Sequence, residues 1–98
     1  MSMLHVVNKS PYELNSLGTC VGYCREGDTL LLIEDGVYAA LATGQAAAQL
    51  RGLKVAALSS DLKARGIVAD KLVEGIQVVD YAGFVDLVET TDRVQSWL

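Results

Sequence analysis

The sequence predicts an α/β fold: three layers, α/β/α, built around a mainly parallel sheet in a single domain spanning residues 1–98. Two observations carry that expectation. Short apolar runs alternate along the chain with stretches whose apolar residues recur at helical spacing, which is the pattern of βαβ units. Some of the runs are uninterrupted rather than alternating, as in strands buried on both faces by helices. The length of 98 residues suffices for one domain and is too short for two.

The elements follow in order. Met3 to Val7 is a short β-type run. Asn8, Lys9, Ser10 and Pro11 break it, and Pro11 suits the first turn of a helix with Ser10 as its cap. From Leu14 the apolar residues Leu14, Leu17, Val21 and Cys24 fall at helical spacing. Gly27-Asp28 ends that pattern, and Thr29 to Ile33 is a continuous run expected to form a central strand. Glu34-Asp35-Gly36 closes it and Val37 to Leu41 reads as helical. Residues 42–49, ATGQAAAQ, form a short helix or an ordered loop. Lys54 to Leu58 is a third strand. SSDLKARG is a compact helix, with Ser59 or Ser60 as cap, Asp61 in the first turn, Lys63 and Arg65 near the end and Gly66 as the stop. Ile76 to Val79 is a fourth strand, and Tyr81 to Glu89 is a last helix with Phe84, Val85, Leu87 and Val88 as apolar candidates. The pattern does not specify strand order.

Composition narrows the function. The net charge is −4 and the eight Lys and Arg residues are scattered. No basic stripe exists to hold a phosphate backbone, so direct binding of nucleic acid is not expected. No stretch approaches the roughly 20 apolar residues of a membrane span. No cleavable leader is read at the start, and two cysteines cannot build a disulfide framework. The expected setting is the reducing cytoplasm. Apolar residues make up 51% of the chain and charged residues 20%, below the typical ~25% for charged residues. A small domain has little interior in which to hide apolar side chains. The excess points to a subunit whose apolar patch is covered by a partner.

The two cysteines, in SLGTCVGYC, carry the clearest chemistry. At about 100° per residue, Cys24 falls inside the apolar stripe and Cys20 on its flank, where access is expected. Residues four apart on a helix have β-carbons roughly 5–6 Å apart, wider than the roughly 3.5–4.5 Å a disulfide needs. The spacing is not that of a C-x-x-C redox motif. A metal site needs three or four ligands. The chain adds only His5, in a different element, so no metal site is expected. Cys24 reads as a buried small apolar residue. For Cys20, burial and sulfur carriage stay open, because no neighbouring cation favours its thiolate. Glu34 and Asp35, at the end of a strand, lie where open α/β sheets bind ligands; Asp35 is expected to cap the following turn, with Gly36 allowing a tight bend. Asp80 and Tyr81, at the end of the fourth strand, either line a crevice or serve as a cap and a packed ring. Trp97 suggests docking, on its own domain or in a neighbour's pocket. No G-x-G-x-x-G, Walker loop or G-x-S-x-G is present, and no cofactor is expected.

Five blocks in register, LHVVNKSPYE, LLLIEDGVYAAL, DLKARG, VDYAGFVDL and VQSWL, resemble the DsrH/TusB family of small sulfur-relay proteins over nearly the whole chain. The resemblance implies the DsrE-like α/β/α fold. It implies a hexamer with two copies each of this subunit, a DsrE/TusD-like and a DsrF/TusC-like partner, fed by a TusA-type sulfur carrier. It places the principal persulfide cysteine on the DsrE/TusD-like partner, so the chain would be a non-principal subunit of a sulfurtransferase complex. Cys20 matches the cysteine that DsrH-type members carry in the first helix, which makes it an auxiliary persulfide site at most and tilts the chain toward DsrH. Tyr12 stands where the family often has phenylalanine. Sulfur would flow to an oxidation pathway or to the wobble uridine of tRNA. The alternatives are a small-ligand module at the strand ends, without sulfur chemistry, and an independent thiol enzyme.

Overall fold

The computed structural model describes residues 2–13 and 15–97. Leu14, which opens the expected helical stripe, lies outside them. The elements are β1 (Met3–Val7), α1 (Ser16–Tyr23), β2 (Thr29–Leu32), β3 (Lys54–Leu58), α2 (Ser59–Ala64), β4 (Gln77–Val79), α3 (Tyr81–Thr90) and β5 (Arg93–Trp97). Three 3₁₀ helices, Glu34–Ala40, Gln45–Leu50 and Ala69–Lys71, fill the connections. All strand pairs are parallel, in the order β4-β3-β2-β1-β5.

The pleat divides the core in two. Val7, Leu30, Leu32, Val55 and Ala57 point to one side, where Leu17 of α1, Val37, Ala40 and Leu50 of the 3₁₀ helices and Leu62 of α2 cover them. Leu4, Val6, Leu31, Ala56 and Val79 point to the other side, against Phe84 and Leu87 of α3. This period of two explains why the β2 run is apolar throughout: each of its residues, Thr29 to Leu32, is buried. The three-layer parallel architecture is the one the sequence predicts.

The two outer layers are unequal. Among the described residues α3 alone packs on the second face, and none of its residues is fully buried. A helix about 10 Å across cannot cover five strands spaced about 4.8 Å apart. Val85 and Val88 of α3 and Val94 of β5 accordingly remain 39%, 39% and 47% exposed.

Local departures from expectation have local causes. The first helix starts at Ser16 rather than Pro11, because the Ser10 hydroxyl accepts from the Tyr12 amide and the Glu13 amide donates to the Ser10 carbonyl, closing a turn. Neither Ser59 nor Ser60 caps α2; Leu58 occupies that position. Val37 to Ala40 belong to a 3₁₀ helix that already begins at Glu34, and Leu41 follows it as an extended C-cap. Gly36 lies so close to β1 that a β-carbon there would collide with the Val7 carbonyl oxygen. β5 was not anticipated. Its residues RVQSW are mostly polar and exposed, as an edge strand permits.

Candidate functional site

α1 runs back from the carboxyl ends of the strands and delivers Cys20 and Cys24 to the amino ends, where β1 and β2 begin. His5, on the α1 face of β1, lies there too. One ring nitrogen of His5 and the two cysteine sulfurs lie within 4.8 Å of one another. The sequence separates these three residues into two elements, and the crossover from β1 through α1 to β2 reunites them. Nothing in the spacing of the residues signals that proximity.

The hydrogen bonds around His5 define its tautomer. Trp97 Nε1–H donates to His5 Nδ1 at 3.1 Å, and an indole nitrogen can only donate. Nδ1 is therefore the acceptor, and Nε2–H donates to Asp28 Oδ2 at 2.9 Å. Asp28 also accepts from the Met3 amide at Oδ1 (3.0 Å) and from the Arg25 amide at Oδ2 (3.0 Å). Burial pushes the Asp28 carboxyl up, but the His5 hydrogen bond and the two amides outweigh it and hold the group below the usual carboxylate range. The rings of His5 and Trp97 are nearly parallel, 26° apart with centroids 6.1 Å apart, and the Tyr23 ring lies 5.4 Å from that of Trp97. Trp97 thus docks on its own chain. A groove of about 460 Å³ opens beside this cluster, lined by His5, Tyr23, Asp28, Gln95 and Trp97.

The cysteines exchange their expected places. Cys20 is wholly buried, and Cys24 is the half-exposed one. The described part of α1 packs through Leu17 and Cys20, three residues apart, which rotates Cys20 from the flank into the core. Cys24 is the C-cap, already in extended conformation at φ −68° and ψ 138°, with its amide donating to the Cys20 carbonyl at 3.1 Å. Burial drives the Cys20 thiol far up, reinforced by its neighbour Cys24. Burial also raises the Cys24 thiol, while its hydrogen bond with Cys20 pulls the other way. In the closed structure neither sulfur is a ready thiolate.

The acidic turn at the opposite, carboxyl end of the sheet holds the fold together. Asp35 does not cap the turn; it binds Arg65 Nε and Nη2 at 3.0 and 2.9 Å. Glu34, at φ +48°, donates its amide to Asp61 Oδ2 at 2.8 Å, and its side chain accepts from Asn8 Nδ2 at 3.4 Å. The acidic side chains that the sequence offered for a ligand are tied to the chain itself. Asp80 is a cap as expected, accepting from the Gly83 amide at 2.8 Å.

Comparison with known proteins agrees with this architecture. A family model described as DsrH like protein matches residues 9–94. Proteins named TusB from Escherichia coli K12 and Sodalis glossinidius are each 36% identical over 97 residues, covering 97% of this chain and 100% of theirs. Among solved structures, the ychN protein of Escherichia coli superposes with a TM-score of 0.80 at 20% identity, covering 98% of both chains. A Thermotoga maritima protein gives 0.67 at 24% identity, covering 91% of this chain and 92% of its own. At those identities the two structures bear on the fold alone.

Proposed function

Because this chain belongs to the DsrH/TusB family, we propose that it is a subunit of a cytoplasmic sulfur-relay complex of the DsrEFH/TusBCD type, with assembly as its main task. The observation that carries the reading is the match over almost the full length. The thinly covered α3 face supports it: Val85, Val88 and Val94 stand exposed where a partner subunit would bury them. Partners of DsrE/TusD and DsrF/TusC type, in a heterohexamer, complete the proposal, with a TusA-type carrier as sulfur donor.

Cys20 has a restricted part in it. Thiol–persulfide exchange needs an accessible thiolate, and Cys20 is neither accessible nor easily ionised. The principal acceptor is assigned to the DsrE/TusD-type partner. Cys20 takes sulfur only if the first helix opens within the complex. The pathway, sulfur oxidation or tRNA thiolation, belongs to the partners rather than to this chain.

Coexpression with DsrE/TusD-like and DsrF/TusC-like proteins is expected to yield one species containing all three on size exclusion. A chain that elutes alone overturns the proposal. Equal sulfur uptake by complexes of the wild type and of Cys20→Ser, after exposure to a persulfidated carrier, removes Cys20 from the relay.

A further inference from the structure

We propose that His5, Cys20 and Cys24 form a three-coordinate site for a soft d¹⁰ cation, copper(I), with Trp97 as its cover. This stands apart from the relay reading, since it concerns the chain by itself. Two sulfurs and one imidazole nitrogen already lie within 4.8 Å of one another. Donors placed about 2.0–2.3 Å from a common ion are separated by roughly 3.5–4 Å, so a contraction of at most about 1.3 Å closes the site. Cys24 is the donor free to supply it, being half-exposed and beyond the helical part of α1.

The outer partners are in place as well. Asp28 fixes Nε2–H and leaves the lone pair of His5 on Nδ1, the carboxylate–histidine arrangement that orients metal-bound imidazoles. That lone pair now accepts from Trp97. A metal ion takes over the lone pair, and the displaced indole, whose ring lies 26° from the His5 plane with centroids 6.1 Å apart, turns a face toward the cation. Thiol ligands select copper(I) or zinc. A closed zinc site wants four ligands, and the cluster among the described residues has three. Binding forms two copper–thiolate bonds and one copper–imidazole bond and releases two thiol protons to solvent. The filled site carries one net negative charge, and no electron is transferred.

The test is an anaerobic titration of the full chain with copper(I) against a chromophoric chelator. The expected result is one equivalent taken up, a thiolate-to-copper absorbance in the near ultraviolet and quenching of Trp97 fluorescence. Asp28→Asn should bind about tenfold more weakly, and Cys24→Ser, which removes a half-exposed donor, more weakly still. Circular dichroism checks that both variants fold, and a copper-dependent rise in Tm for the wild type but not for Cys24→Ser gives a second reading of the same site. Failure to draw copper(I) from the chelator, uptake of zinc(II) in preference to copper(I), or wild-type affinity in Cys24→Ser overturns the assignment.

Discussion

Asp28 gathers donors from three parts of the chain: the Met3 amide at the start of β1, the His5 ring within β1 and the Arg25 amide after α1. Its side chain is only 8% exposed, so these bonds are poorly replaced by water. Asp28→Asn keeps the shape but weakens charge-assisted acceptance, and should lower stability by about 1–3 kcal/mol in urea unfolding. The pH dependence follows from the direction of its shift. The folded carboxyl titrates below its unfolded value of about 3.9. Its contribution is therefore complete above that value and is lost as pH falls through the lower folded one, where the unfolded chain binds more protons. The variant should accordingly show a shallower loss of stability between about pH 5 and pH 2. In the sequence Asp28 looks like half of a Gly-Asp turn, and nothing there discloses three partners. The sequence shows the cysteines as the reactive pair but not their exposure, because helix packing through Leu17 and Cys20 exchanges the buried position with the flank.

At the scale of elements, most of the fold was legible. β1 and β3 have the expected limits, and β2 and α3 differ from expectation by one residue at one end. Continuous apolar runs and a cap followed by helical spacing are strong local signals, and here the tertiary structure agrees with them. Structure and sequence part where a local signal has two solutions. Ser10-Pro11 opens either a helix or a turn, and its hydroxyl chose the turn. β5 gave no signal, because an edge strand with one hydrogen-bonded flank needs no apolar run. Asp80 is the clearest case in which residue and element agree. Its carboxylate bonds the Gly83 amide, and Asp80→Ala should cost about 1 kcal/mol in equilibrium unfolding. A variant as stable as the wild type would mean that packing on the sheet, rather than the cap, holds the start of α3.

For the whole molecule, the apolar excess read from composition has an address on the α3 side. The chain is nonetheless compact, with a radius of gyration of 12.0 Å, close to the roughly 13 Å expected for a domain of its length. Under the proposed assembly, a partner subunit would add cover for one face. Val85→Glu with Val88→Glu, both exposed, should change the stability of the isolated chain by less than about 1 kcal/mol and prevent association with the DsrE- and DsrF-like proteins in size exclusion. The pairing of β1 with β5 has another consequence. Met3 lies opposite Arg93, so during translation the first strand leaves the ribosome roughly ninety codons ahead of its second neighbour. Throughout that interval one side of Met3–Val7 offers unpaired amides and carbonyls to any extended segment nearby. Nascent chains on one polysome become each other's competitors there, and a holdase that shields this edge would raise the yield without touching the finished protein.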